Sequence, residues 1–123
     1  MDPNGIATQF LNAYYKTFSE NRGMLQSYYG ADSKLSWENA EFTGAAEISQ
    51  KLTSINAQKI EYLHVEHVVQ VLPGDLLLLL VNGHMSIDGA PALGFSQIFV
   101  LQRTPAGSWF IRNEIFKFQF ASK

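Results

Sequence analysis

Residues 75–103 read DLLLLLVNGHMSIDGAPALGFSQIFVLQR and hold two apolar runs, Leu76–Val81 and Leu93–Leu101. A short connection around Asp88-Gly89-Ala90-Pro91 joins them. Each run is far below the roughly 20 apolar residues that a membrane-spanning helix needs. The second run carries Phe95, Ile98, Phe99 and Val100, a β-branched and aromatic content that favours strand. The pair is expected to be a long antiparallel hairpin at the centre of a sheet. In a strand, Leu76, Leu78 and Leu80 face one way and Leu77, Leu79 and Val81 the other. On the partner, Phe95, Phe99 and Leu101 oppose Ile98 and Val100. Both faces of the sheet are therefore apolar, whereas an antiparallel sheet with one wet face alternates. The chain's own helices are expected to cover one face and a second copy of the chain the other.

The remainder reads outward from that hairpin. Asp2-Pro3 is a helix start, with an N-cap acid before proline. Ile6, Phe10, Tyr14 and Phe18 follow at four-residue spacing, with Ala7 and Leu11 beside them, giving one apolar helix face. Asn21-Arg22-Gly23 ends this helix. Met24–Tyr29 is expected to be a short second helix stopped by Gly30. Leu35-Ser36-Trp37-Glu38 reads as a short strand, with a turn at Asn39-Ala40 and a partner at Glu41-Phe42. Thr43-Gly44 opens a third helix, with Glu47 in its first turn, where the dipole favours an acid, and Ile48, Leu52 and Ile55 as its stripe. From Gln58 to Leu72 the pattern is strand, with a phase slip between Tyr62 and Val68 that predicts a bulge. Pro73-Gly74-Asp75 and Pro105-Ala106-Gly107 are turns. Ser108–Phe120 is the last strand, alternating Trp109, Ile111, Asn113 and Ile115 with Phe110, Arg112, Glu114, Phe116, Phe118 and Phe120. Helices gathered before a meander predict an α+β fold, one domain over residues 1–123: a curved antiparallel sheet wrapped on N-terminal helices as a cone, with an open end for a pocket.

Composition narrows the function classes. The 123 residues are 46% hydrophobic and only 16% charged, with net charge −2 and no basic run. Nucleic-acid binding is not expected on that balance. The absence of cysteine excludes disulfides, thiolate zinc and cysteine catalysis. MDPNGIATQF lacks a basic n-region and an apolar h-region, so an intracellular protein without a signal peptide or membrane span is the expectation.

Few residues suggest chemistry. Glu38, after Trp37 at a strand end, is either a solvated acid or an acid at the rim of an aromatic-lined pocket. Asp88 lies at a loop tip, where acids mostly serve turn chemistry. Glu114 sits among aromatics and has Arg112 or a helix residue as candidate partner. His64 and His67 are three apart, on opposite strand faces, which argues against a shared metal; with His84 they read as structural or surface residues. Tyr14 continues the helix stripe, and its alternative role is to donate into a pocket beside a buried acid, as an isomerase or dehydratase would require. No nucleophile elbow, phosphate-binding glycine loop or zinc-binding HExxH motif is present.

Several stretches nevertheless resemble the nuclear transport factor 2 family. They are Phe10–Phe18 followed by Asn21-Arg22, Leu35–Glu38 with Phe42-Thr43-Gly44, Ile48–Leu52 with Ala57-Gln58-Lys59-Ile60, Gly94–Phe99, and Asn113–Phe116. They fall in family order along nearly the whole chain. The resemblance implies a homodimer packed through its sheet faces, no catalysis and no cofactor. It implies a carrier of the small GTPase Ran in its GDP state, found in cytoplasm and nucleus and concentrated at nuclear pores, where it grips phenylalanine-glycine repeats. Carried over residue by residue, Trp37, Ile60, Leu93 and Phe116 line the mouth that receives an aromatic side chain of the GTPase. Glu38 and Asp88 pair with its cations, and Lys59 and Tyr62 complete the set. Gly89 and Ala90 follow Asp88 where the family often has a second acid, and Asp2–Ile6 lacks the family's N-terminal aromatic. A heterodimerising mRNA-export scaffold of the same fold is a further alternative.

Overall fold

A computed structural model describes residues 2–119. Helix α1 (Pro3–Glu20) is capped by Asp2, whose carboxylate accepts from the Gly5 amide at 3.1 Å. A 3-10 helix (Arg22–Tyr28) follows, then strands β1 (Tyr29–Trp37) and β2 (Ala40–Thr43), helix α2 (Ala45–Thr53), and strands β3 (Ile60–Leu72), β4 (Leu76–Ile87), β5 (Leu93–Arg103) and β6 (Trp109–Gln119). The six strands form one sheet in the order β2-β1-β6-β5-β4-β3. Phe120, expected in the last strand, lies outside the described residues.

The central hairpin is as the alternation predicted. Leu77, Leu79, Val81, Phe95, Phe99 and Leu101 are buried under the helices. From α1, Ala7, Leu11, Tyr14, Tyr15 and Phe18 fill the same core, and Phe10 meets Phe99 edge-on at 5.2 Å. Each large apolar side chain so buried contributes about 1.5–3 kcal/mol. On the outer face, Val68, Leu80, Ile98 and Ile115 are register partners across β3, β4, β5 and β6. They make an apolar row in which Val68 is 62%, Leu80 42% and Ile115 48% exposed.

The structure departs from the sequence reading in four places. The sheet is mixed, because β1 runs parallel to β6 while its other neighbours are antiparallel. Periodicity fixes which way a side chain faces and says nothing of which strand lies beside which. The second helix is 3-10, and Gly30 belongs to β1 rather than stopping a helix. Gly30 is a point of close approach: a Cβ there would lie 3.4 Å from the Phe110 ring. The β1–β2 turn takes Glu38 and Asn39, with Ala40 already in β2. Finally, β6 carries a bulge at Arg112, because Leu101 pairs with Ile111 but Val100 with Asn113. The bulge shifts the phase, so buried Ile111 shares the inner face with Glu114 and Phe116.

The expected bulge in β3 is present between Leu63 and Glu66. It brings Val65 over Gly83, where an added Cβ would meet Val65 Cγ2 at 3.0 Å. The histidines have separate roles: His67 Nε2 bonds Asn4 Oδ1 at 2.9 Å, tying β3 to α1, and the His64 and His84 rings meet edge-on at 5.9 Å.

Candidate partner-binding site

The ladder registers bring the eight expected site residues to one end of the sheet. Trp37 ends β1 and pairs with Phe116 near the end of β6. Leu93 begins β5 opposite Met85, and Ile60 begins β3 opposite Ile87, with Lys59 before it, Tyr62 after it and Asp88 just beyond Ile87. Glu38 follows Trp37 and is held there by its own amide, which donates to the Phe116 carbonyl at 2.9 Å.

Aromatic rings make the floor. Trp37 stacks on Phe116 at 4.1 Å and 6°, and Phe18 lies on Trp37 at 6.0 Å and 11°. Phe118 closes edge-on against Phe116 at 4.9 Å, and Phe95 lies 5.6 Å from Phe116. Across the end, the Tyr62 ring packs on Tyr15 at 4.4 Å and on Phe95 at 5.9 Å. Phe116 and Ile60 are buried, Trp37 and Tyr62 are half-buried, and Leu93 is 36% exposed. A hollow of about 850 Å³ lies at the opposite end of the sheet, lined by Gly30, Lys34, Pro73, Phe110 and Arg112 among others.

The two acids of the rim share a conformation. Glu38 (φ 56) and Asp88 (φ 53) are both left-handed, the region that suits tight turns and strains most side chains. Each spends one carboxylate oxygen on the backbone. Glu38 Oε1 accepts from the Phe118 amide at 2.8 Å; Asp88 Oδ1 accepts from the Gln58 and Lys59 amides at 2.9 and 2.7 Å. Asp88 also donates its own amide to the Lys59 carbonyl at 2.7 Å. It therefore does the turn chemistry expected of a loop-tip acid and fixes the entry of β3. Lys59 makes an exposed pair with Glu61 at 3.4 Å, a contact of little energetic weight. An Asp88→Gly variant keeps the left-handed turn and loses both accepted bonds. It is expected to cost about 1–2 kcal/mol in urea denaturation and to speed hydrogen exchange at the Gln58 and Lys59 amides.

Beneath the floor lies Glu114, 1% exposed. Of the two candidate partners, Arg112 is turned away by the bulge and a helix residue, Tyr14, is the one found, joined by Tyr29 at the start of β1 and Gln97 on β5. The carboxylate accepts from the Tyr29 hydroxyl at 2.6 Å through Oε1, and from Tyr14 at 2.7 Å and Gln97 Nε2 at 2.6 Å through Oε2. Tyr15 donates to Gln97 Oε1 at 2.6 Å. Tyr14 thus continues the apolar stripe and also holds a buried acid. Burial raises the Glu114 pKa, opposed by the three donated bonds. Burial also raises Tyr14, Tyr15, Tyr29 and Tyr62, with the Glu114 charge adding to it, so they remain donors. An acid beside tyrosine is what the enzyme alternative required, yet Tyr14 has no accessible surface. A water molecule does not reach that hydroxyl, and a substrate reaches it still less.

A model of the nuclear transport factor 2 domain matches residues 6–118. The chain belongs to the nuclear transport factor 2 family. It is 37% identical over 118 residues to nuclear transport factor 2 of Neurospora crassa, covering 95% of each chain, and 36% identical to nuclear transport factor 2B of Arabidopsis thaliana, covering 98% of each. Among solved structures it is similar to Ntf2 from Cryptosporidium parvum, with TM-score 0.87 and 35% identity over 95% of this chain and 94% of that one. A putative dehydratase of Streptomyces avermitilis (TM-score 0.76, 20% identity) and a putative ketosteroid isomerase of Parabacteroides distasonis (0.71, 12%) share the fold, which hosts many unrelated functions.

For a member of this family, the residues that sequence reasoning missed are Tyr29, Gln97 and the link through Tyr15. One signal was available. Gln97 interrupts the inner apolar set Phe95, Phe99 and Leu101, and a polar side chain on a buried face needs a buried partner.

Proposed function

We propose that this chain is a single-domain, non-enzymatic carrier that binds the GDP form of the small GTPase Ran and takes it through nuclear pores into the nucleus. The observation that carries the reading is the Trp37–Phe116 stack with Glu38 at its edge, on a chain that matches a nuclear transport family along nearly its whole length. An aromatic side chain of the GTPase docks over that floor, between half-buried Trp37 and Tyr62 and against exposed Leu93, with Ile60 and Phe116 behind them. Buried aromatic anchors supply most of the affinity in such contacts. Glu38 uses Oε1 on the Phe118 amide and offers its other oxygen to a lysine or arginine of the GTPase. Asp88 and Lys59 border the same end, where charges fix partner and register. The sealed state of Tyr14 and Glu114 supports a role without catalysis. The carrier works in cytoplasm and nucleus, is concentrated at pores, and engages phenylalanine-glycine repeats of pore proteins. Binding to Ran loaded with GDP and with GTP tests the reading by calorimetry. Selective binding of the GDP form is expected; equal binding to both, or none, overturns it.

The carrier is a homodimer joined through the outer sheet face. The row Val68, Leu80, Ile98 and Ile115, with half-buried Leu78 and Val100 beside it, is the support: solvent-exposed apolar strips of this kind are uncommon on monomers. Light scattering is expected to give twice the 13.8 kDa chain mass, and Leu80→Glu to return it to one. A heterodimerising export scaffold would not form a stable homodimer alone. A monomeric unaltered protein would sink this arrangement.

A further inference from the structure

Replacing a buried acid by a well-packed apolar side chain is often neutral or stabilising. A carboxylate offers something a leucine lacks: several hydrogen bonds in fixed directions. Glu114 receives its bonds from α1 (Tyr14), from the start of β1 (Tyr29) and from β5 (Gln97), all neutral donors.

Two routes lead from it to the two flanks of the partner-binding mouth. On one side, Phe116 is two residues farther along β6 on the same inner face, stacked on Trp37. On the other, Gln97 is the register partner of Phe116, accepts from the Tyr15 hydroxyl, and Tyr15 carries the Tyr62 ring at 4.4 Å. We infer that Glu114 is a positioning residue for the mouth: through Gln97 and Tyr15 it fixes Tyr62 relative to the Trp37–Phe116 stack, and so sets the width of the slot that an incoming aromatic ring must fit. The inference rests on the carrier reading for what fills the slot, and on the hydrogen bonds alone for what shapes it.

The test uses the full-length protein, unaltered and as Glu114→Gln, Tyr15→Phe and Leu101→Ala. Leu101 is a core residue near the far end of β5, and its variant serves as the destabilised control. Calorimetry against GDP-loaded Ran is run beside urea denaturation and 1H–15N spectra. Affinity is expected to fall about 10-fold in Glu114→Gln and about threefold in Tyr15→Phe, in the range of coupling through a packed network. Leu101→Ala is expected to bind as the unaltered protein does, although it loses more stability. The Tyr62 amide resonance is expected to move in the first two variants, the Trp37 indole resonance in Glu114→Gln, and both to stay in Leu101→Ala. Unmoved Trp37 and Tyr62 resonances, or an affinity that merely follows stability across all three, overturns the inference. If Glu114→Gln fails to fold, Tyr15→Phe, which cuts only the link to Tyr62, decides by the same readouts. Failure of the unaltered protein to bind Ran overturns the carrier reading alone, and the spectra still judge the positioning role.

Discussion

A Glu38→Lys variant is expected to lose binding of GDP-loaded Ran and to keep the dimer. The substitution inverts the charge at the edge of the Trp37–Phe116 floor and, in the proposed carrier, sets a cation where Glu38 would meet one of the GTPase. Truncating one member of a desolvated charge pair costs about 2–5 kcal/mol, roughly 30-fold to several-thousand-fold in Kd, and like-charge contact adds to it. The lost acceptor of the Phe118 amide lies at the same edge, so the stability cost is confined to one exposed end of β6, about 1 kcal/mol. The Val68–Leu80–Ile98–Ile115 row lies on the outer face of the sheet and the Trp37–Phe116 stack on the inner one, so chain association is expected to stay intact. A pull-down with undiminished capture of Ran would remove Glu38 from the site.

Glu114→Ala is expected to be the most damaging single substitution for stability. It strands the Tyr14 and Tyr29 hydroxyls and the Gln97 amide without their acceptor, each about 1–3 kcal/mol, and leaves a void. A loss of about 3–5 kcal/mol is expected from a total of about 5–15 for ordinary domains. Tyr29→Phe removes one donor and is expected to cost about 1 kcal/mol. Urea midpoints measure both; a Glu114→Ala loss no larger than that of Tyr29→Phe would mean that the network is not cooperative. The pH dependence has a definite sign. Burial holds the folded pKa of Glu114 above its ordinary value. Its contribution is therefore complete below the unfolded pKa, about 4.3, and is lost as pH rises through the folded value. The stability difference between the unaltered protein and Glu114→Gln is expected to shrink as pH climbs from there. A difference that grew with pH would show a depressed pKa instead.

Much of the fold was legible because the signals were local. The alternation of Leu76–Val81 against Phe95–Leu101 gave two apolar faces, and Pro73-Gly74-Asp75 and Pro105-Ala106-Gly107 marked their turns. The phase slip before Val68 located the bulge that lets Val65 sit over Gly83. The parallel contact of β1 with β6 was not legible, because it joins residues some 80 positions apart and no periodicity encodes neighbours. The site divides in the same way. The backbone chemistry of Asp88 could be read at the loop tip itself. The gathering of Trp37, Ile60, Leu93 and Phe116 at one end came from resemblance, since their proximity depends on strand order. Glu114 escaped because unbroken counting through Arg112 sets Ile111 and Glu114 on opposite faces, and only the bulge reunites them.

That irregularity gives β6 a point of slack. Arg112 is the surplus residue of the ladder: Ile111 and Asn113 already face adjacent partners on β5. Opposite it, the four residues Gly30–Ser33 span the same step on β1. A chain one residue shorter there would keep Ile111 inward, Asn113 outward and Glu114 inward. The same omission between Glu114 and Phe116 would turn one of them out to solvent. Length variation in this strand is therefore tolerable at Arg112, the end remote from the Trp37–Phe116 stack, and ruinous between Glu114 and Phe116.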